Sequence, residues 1–248
     1  MSFKLLDLDG VADYLHLTRE EVEQRVKDKV IPCSKRGGRI VFNQEEIDGW
    51  ASQRILGMAE PKLDSYHEKS TRKTKNFLLH EAILPELLAA GTIAPAMKSK
   101  TRASVLRDLV ALAGTTGKLT DPQALLASLE AREALCSTAM PGGFALPHPR
   151  SPDPWLFDTA FIVVGRPIQE IFFGAPDGAP THLFFLLCCK DDRLHLHTLA
   201  RLSLIAQETT ILEQLRAAPD ADTMRVALLA AEAEVLAKMK PQPKHKKV

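Results

Sequence analysis

Residues 57–76, GMAEPKLDSYHEKSTRKTKN, break the chain with a stretch that has no apolar period and is rich in Lys, Ser, Thr and Glu. Nothing in it can be buried cheaply, so one hydrophobic core cannot run through the 248-residue chain. The stretch reads as a solvated connector between two units. The unit before it, residues 1–56, is near the lower size limit for independent folding, whereas residues 77–237 are long enough for a core of their own. The last residues, 238–248 (KMKPQPKHKKV), read as a basic tail too polar to bury. Basic charge is concentrated in this connector and tail, while residues 77–237 hold 13 Lys/Arg against 18 Asp/Glu. That distribution permits weak contact with a polyanion without requiring it.

The totals exclude several classes. No apolar run approaches the roughly 18 residues that suggest a membrane span. The start, MSFKLLDLDG, has acids where a secretory signal needs a basic and then an apolar segment. Cys33, Cys136, Cys188 and Cys189 include no Cys-x-x-Cys, which fits reduced thiols better than a disulfide frame or a zinc site. The expectation is a cytoplasmic protein without a bound metal.

In the first unit, Leu8, Val11, Ala12, Leu15 and Leu17 space out a short helix with Asp9 placed to cap it. Thr18 and Glu21 form a capping box for a second helix, TREEVEQRVKDK. Gly37-Gly38 between basic residues, followed by Ile40-Val41-Phe42, reads as a two-stranded hairpin. Asn43 is placed to cap a third helix, NQEEIDGWASQRI. Helix, turn, helix, basic hairpin and helix outline a winged helix-turn-helix. The second unit is helical through LLHEAILPELLAA, SKTRASVLRDLVALAG and DPQALLASLEAREAL. It then turns β-rich at Phe161–Val164 and Thr181–Cys189, and helical again from LHLHTLARLSLIAQE onward. The second β run is apolar on both faces, as in a covered sheet. An α/β (α+β) sandwich, with a mixed sheet flanked by helices, is the expected fold.

GGFALPHPR joins these halves and sets His148 between Pro147 and Pro149. Each proline restricts the residue before it, so the imidazole is held at a fixed angle. Gly142 and Gly143 would let main-chain N–H groups converge on an anion, and Arg132 and Arg150 would supply planar donors for a phosphate. A neutral imidazole is nucleophilic near pH 7. A lone histidine in a proline-rich loop is more often structural, so these residues alone leave both readings open.

Two resemblances narrow the choice. GVADYLHLTREEVEQRVKDKVIPCSKRGGRIVFNQEEIDGWAS resembles the excisionase or MerR-type DNA-binding module, Trp50 matching its final aromatic position. That likeness implies contact with double-stranded DNA, here through Arg19, Arg25, Lys35, Arg36 and Arg39. The second helix departs from the pattern in carrying Glu20, Glu21 and Glu23, and docking of a regulated partner protein is the competing reading. Three ordered stretches, ALLASLEAREALCSTAMPGGFALPHPR, PIQEIFFGAPDGAPTHLFFLL and LHLHTLARLSLIAQETTILEQLRAA, resemble the type-2 enzyme IIA domain of the bacterial phosphotransferase system, the third being closest to the nitrogen-regulatory branch. The likeness implies that His148 accepts a phosphoryl group from a histidine-containing phosphocarrier protein. It implies that His195 assists and that Arg132 is the active-site arginine, with the Ser137-Thr138 pair leading into the loop. Thr138, Gly142, Gly143 and Arg150 are then the phosphate contacts. No cofactor and no membrane partner is implied. Pro149 replaces the family's usual glycine, and Pro141 removes one N–H from the turn. The expected function is a phosphorylation-dependent regulator whose His148 state alters binding by the N-terminal module. The alternatives are a scaffold whose IIA-like domain no longer transfers phosphate, and a plain phosphoryl relay.

Overall fold

The computed structural model describes residues 5–15, 17–56, 81–149 and 155–239. The connector and the last nine residues lie outside these, as does Arg150.

The first unit runs β1 (Leu5–Leu6), α1 (Leu8–Tyr14), α2 (Arg19–Lys27), β2 (Ser34–Arg36), β3 (Arg39–Asn43) and α3 (Gln44–Leu56). Asp7, not Asp9, caps α1: its carboxylate accepts the Gly10 N–H at 2.8 Å. Asp9 lies inside the first turn and is free to pair with Arg19 at 2.7 Å. The α2 capping box forms as read, Thr18 Oγ1 accepting from Glu21 N–H and Glu21 accepting from Thr18 N–H at 2.8 Å. Gly37 and Gly38 both have positive φ, as a tight two-residue hairpin demands, and the sheet order is β1-β3-β2. Val11, Leu15, Val22, Phe42 and Ile47 fill its core.

The larger unit holds a five-stranded sheet in the order β4-β7-β8-β6-β5. These strands are β4 (Ile93–Met97), β5 (Ala139–Met140), β6 (Phe144–Ala145), β7 (Phe161–Pro167) and β8 (Leu183–Cys188). β7/β8 and β5/β6 pair antiparallel, β4/β7 and β6/β8 parallel. Side chains alternate across the sheet, and both faces are apolar because both are covered. Phe161 and Val163 with Phe184 and Leu186 face α5 (Arg102–Gly114) and α6 (Pro122–Leu135). Ile162 and Val164 with Phe185 and Leu187 face the helices α7 (Asp192–Glu208), α8 (Ile211–Ala217) and α9 (Ala221–Met239). The expected sandwich is thus observed.

Two features fix α7. Arg201, fully buried, donates to Glu232 Oε1 at 2.7 Å. Glu232 also accepts the N–H groups of Ile83 and Leu84 at 2.9 and 3.0 Å, so one carboxylate ties α7, α9 and the start of α4 (Leu84–Leu87) together. On another side, α3 of the small unit packs along α7, and one continuous apolar cluster contains residues of both units. Among the described residues, no helix is long and apolar enough to cross a membrane.

Candidate functional site

β6 lies inside the sheet, where Phe144 and Ala145 pair with Leu183 and Phe184. The chain stays extended beyond it, since Leu146 N–H donates to Thr138 and Leu187 N–H donates to Pro147. His148 therefore stands three residues beyond β6, on chain still hydrogen-bonded to its neighbours, not on an outlying loop. Its ring is only 2% exposed.

The imidazole is held by both nitrogens. Nδ1 lies 2.8 Å from the Leu146 carbonyl, which can only accept, so Nδ1 carries the proton. Nε2 then has the lone pair and accepts from Arg132 Nε–H at 3.1 Å. Arg132 comes from the last turn of α6 and is equally buried; its Nη1 donates to the Cys136 carbonyl at 3.0 Å. Its Nη2 is buried with no hydrogen-bond partner among the described residues. His195, on the first turns of α7, places its ring 4.7 Å from that of His148, tilted by 51°. The order of chain elements thus brings His148, Arg132 and His195 together.

Burial sets the charge states. It is the first cause holding His148 well below the usual histidine range, and neighbouring His195 and Arg132 add to it. Burial, then Arg132, lowers His195 to about 4. Both rings are neutral at pH 7, and His148 presents an unprotonated Nε2. This has a cost in acid. Below the ordinary value of about 6.5 the unfolded chain binds protons that the folded site refuses, so stability falls with pH until the folded sites titrate. Going from pH 7 to about pH 5 costs roughly 2 kcal/mol through His195 alone. Urea unfolding at the two pH values checks this, and His195→Gln must flatten the dependence.

Glu133 was not foreseen as a site residue. It is one position on from Arg132, about 100° round the helix, and so aims elsewhere. Its buried carboxylate accepts the Thr138 N–H at 3.0 Å and hydroxyl at 2.8 Å, and pairs with Arg102 at 3.3 Å. Thr138 is thereby engaged by Glu133, while Ser137 Oγ donates to the Phe173 carbonyl at 2.7 Å. The one available signal was a carboxylate at the end of an apolar helix, adjacent to an arginine.

The glycine pair lies elsewhere. Gly142 and Gly143, at φ +92° and +79°, turn the β5–β6 hairpin. The Gly143 carbonyl accepts from His182 and Leu183 N–H. Five residue steps of extended chain then separate Gly143 from His148, roughly 16 Å. An extended strand cannot fold its start back onto its end, so these N–H groups do not surround the imidazole.

The five cations expected to contact DNA divide into two groups. Arg19 is held by both Asp9 oxygens at 2.7 Å and by Glu23 at 3.0 Å. Arg25 donates to the Glu21 carbonyl, and burial, then nearby Arg54, lowers its pKa. Lys35, Arg36 and Arg39 are exposed on the hairpin, and none has a carboxylate partner among the described residues. Arg36 sits directly opposite Arg39, a like-charge pair that an anion would relieve.

Comparison with known proteins follows the same division. The sequence profile of the family described as "Phosphoenolpyruvate-dependent sugar phosphotransferase system, EIIA 2" matches residues 86–230, and a helix-turn-helix domain profile matches residues 5–55. The chain is 33% identical over 144 residues to a nitrogen regulatory protein of Bradyrhizobium diazoefficiens, covering 57% of this chain and 91% of that one. It is 31% identical over 143 residues to the fructose-specific EIIABC component of Bacillus subtilis, 57% of this chain but only 22% of that protein's length. The crystal structure of nitrogen regulatory protein IIA-Ntr from Neisseria meningitidis superposes with a TM-score of 0.54 at 25% identity, over 59% of this chain and 99% of that one.

Proposed function

Because the chain belongs to the EIIA type 2 family of the phosphoenolpyruvate-dependent sugar phosphotransferase system and carries a helix-turn-helix domain at residues 5–55, we propose that it is a regulator of the nitrogen-regulatory kind. In this reading His148 takes a phosphoryl group from a histidine-phosphorylated carrier protein, and its state is coupled to binding by the N-terminal domain. One observation carries the proposal: a neutral imidazole with its Nε2 lone pair beside Arg132, whose buried Nη2 has no partner among the described residues.

The chemistry balances without a cofactor. His148 Nε2 bonds to phosphorus as the carrier's N–P bond breaks, and that bond's electron pair returns to the carrier's imidazole nitrogen. Each ring keeps the proton on its other nitrogen. The positive charge that His148 gains is met by the Leu146 carbonyl on Nδ1–H, and the phosphoryl oxygens fall to Arg132 and His195. Burial of His148 favours a second reading, in which the domain binds partners without transferring phosphate, because a carrier nitrogen must gain entry before it reaches Nε2. Intact mass after incubation with phosphoenolpyruvate, enzyme I and phosphocarrier protein separates the two. Transfer adds one acid-labile phosphate, lost in His148→Ala; no gain with active carriers leaves the scaffold reading.

For the N-terminal domain the proposed partner is duplex DNA, held by the hairpin. Lys35, Arg36 and Arg39 are able to replace DNA counterions, whereas Arg19 is already neutralised by carboxylates. Arg36→Ala and Arg39→Ala should each flatten the plot of log affinity against log salt by about 0.9, and Arg19→Ala should leave the slope unchanged. Titrations on a fluorescent duplex at several salt concentrations check both. Arg150, outside the described residues, stays a proposed phosphate contact.

A further inference from the structure

Every residue of α7 from His195 to Ile205 is buried, although the stretch includes His195, His197, Thr198, Arg201 and Ser203. A helix on the outside of a sheet sandwich ordinarily keeps a solvated stripe. This one has none because it is covered from several directions: β8 beneath it, α8 and α9 alongside, and α3 of the helix-turn-helix domain. The same helix carries the ring that touches His148. One rigid element therefore has the candidate phosphoacceptor at one contact and the small domain at another.

We infer that α7 is the element through which the His148 site and the helix-turn-helix domain act on each other: negative charge placed on His148 displaces α7 and weakens the seat of α3. The inference rests on the phosphoacceptor reading above for its physiological trigger, though not for its test.

The physical reason is room. The two imidazoles are in contact, their centroids 4.7 Å apart, and Arg132 Nε–H already occupies Nε2. A phosphoryl group on Nε2 brings three oxygens and close to two negative charges into this space. Arg132 can retreat by rotating its long side chain. His195 is joined by a short side chain to a helix backbone, so its larger adjustments are those of α7. Toward the sheet α7 meets closely packed strands, and toward α9 it is pinned by the Arg201–Glu232 ion pair. The cover that can yield is α3, which belongs to another domain. Helix α2 and the hairpin keep exposed residues with α3 seated, so what changes is how the domain is held rather than whether its surface is open.

Hydrogen exchange on the full chain tests this, comparing wild type with His148→Glu, which adds a charge, and His148→Gln, which adds none. Amides of Gln44–Leu56 should exchange at least tenfold faster in His148→Glu than in the other two, with Phe161–Pro167 and Leu183–Cys188 still protected. Equal exchange of Gln44–Leu56 in all three overturns the inference. Should the glutamate unfold the strands, His148→Asp, one methylene shorter, gives the same comparison. Phosphorylation of the wild type separates the two ideas. Phosphate uptake that leaves Gln44–Leu56 unchanged overturns the coupling but keeps the acceptor. A response to His148→Glu in a chain that takes up no phosphate keeps the coupling and overturns the acceptor.

Discussion

If His148 is the phosphoacceptor proposed above, Arg132→Lys should slow its phosphate uptake by a hundredfold or more while leaving the fold intact. Arg132 makes two contacts and keeps a donor in reserve: Nε–H meets the His148 lone pair, Nη1 holds the Cys136 carbonyl, and Nη2 is buried without a partner among the described residues. A planar fork of five donors can turn from nitrogen to phosphoryl oxygen without releasing the loop. An ammonium group is a single point charge and cannot span these positions. Losing one preorganised donor at a developing anion typically costs 10²–10³ in rate, or about 3–4 kcal/mol of barrier. Rapid-mixing mass spectrometry of the phosphorylated fraction measures it, with unfolding midpoints as the control. An unchanged rate would make the arginine a purely structural contact of the Cys136 turn.

Glu232→Ala lowers stability by about 3–5 kcal/mol, the usual penalty for leaving one half of a buried ion pair. That is a large part of the 5–15 kcal/mol that holds a typical domain. The removal strands the Arg201 guanidinium in the core and leaves Ile83 and Leu84 N–H groups without their acceptor. For the same reason, Arg201→Met with Glu232→Leu restores only part of the loss. It removes the stranded charge but not the two orphaned amides at the start of α4. Urea unfolding of both variants gives the values.

Much of this was legible in the sequence, and what was missed follows one pattern. Local signals were reliable where one residue decides the outcome: the Thr18 capping box and the Gly37-Gly38 hairpin both formed. Asp9 was misread because Asp7 competes for the same helix end, and only tertiary structure shows Arg19 waiting for the loser. The fold class followed from the two-faced apolarity of β8, since a strand buried on both sides requires helices on both sides. β4 was invisible because Pro95 lies in it. An edge strand tolerates a proline, and β4 is at an edge, where Pro95 still offers its carbonyl to Arg166 at 2.8 Å.

At the site, proximity in sequence misled in both directions. Gly143 lies five residues from His148 and far from it in space, because a strand runs between them. His195 lies 47 positions away and touches it. The His148, Arg132 and His195 set came from family likeness, since no local pattern announces a contact made across a sheet. Glu133 was overlooked because Thr138 meets it only when the chain turns back at the end of α6, and Arg102 only once α5 and α6 pack together.

The Leu146 carbonyl has one more effect. By accepting the Nδ1 proton at 2.8 Å it leaves the ring a single nucleophilic corner, so any phosphohistidine formed here is one isomer, the τ form linked through Nε2. Phosphorus NMR and isomer-selective antibodies distinguish that species from its π counterpart. A main-chain oxygen, which no side-chain substitution at Leu146 removes, would thus set the regiochemistry of the proposed modification.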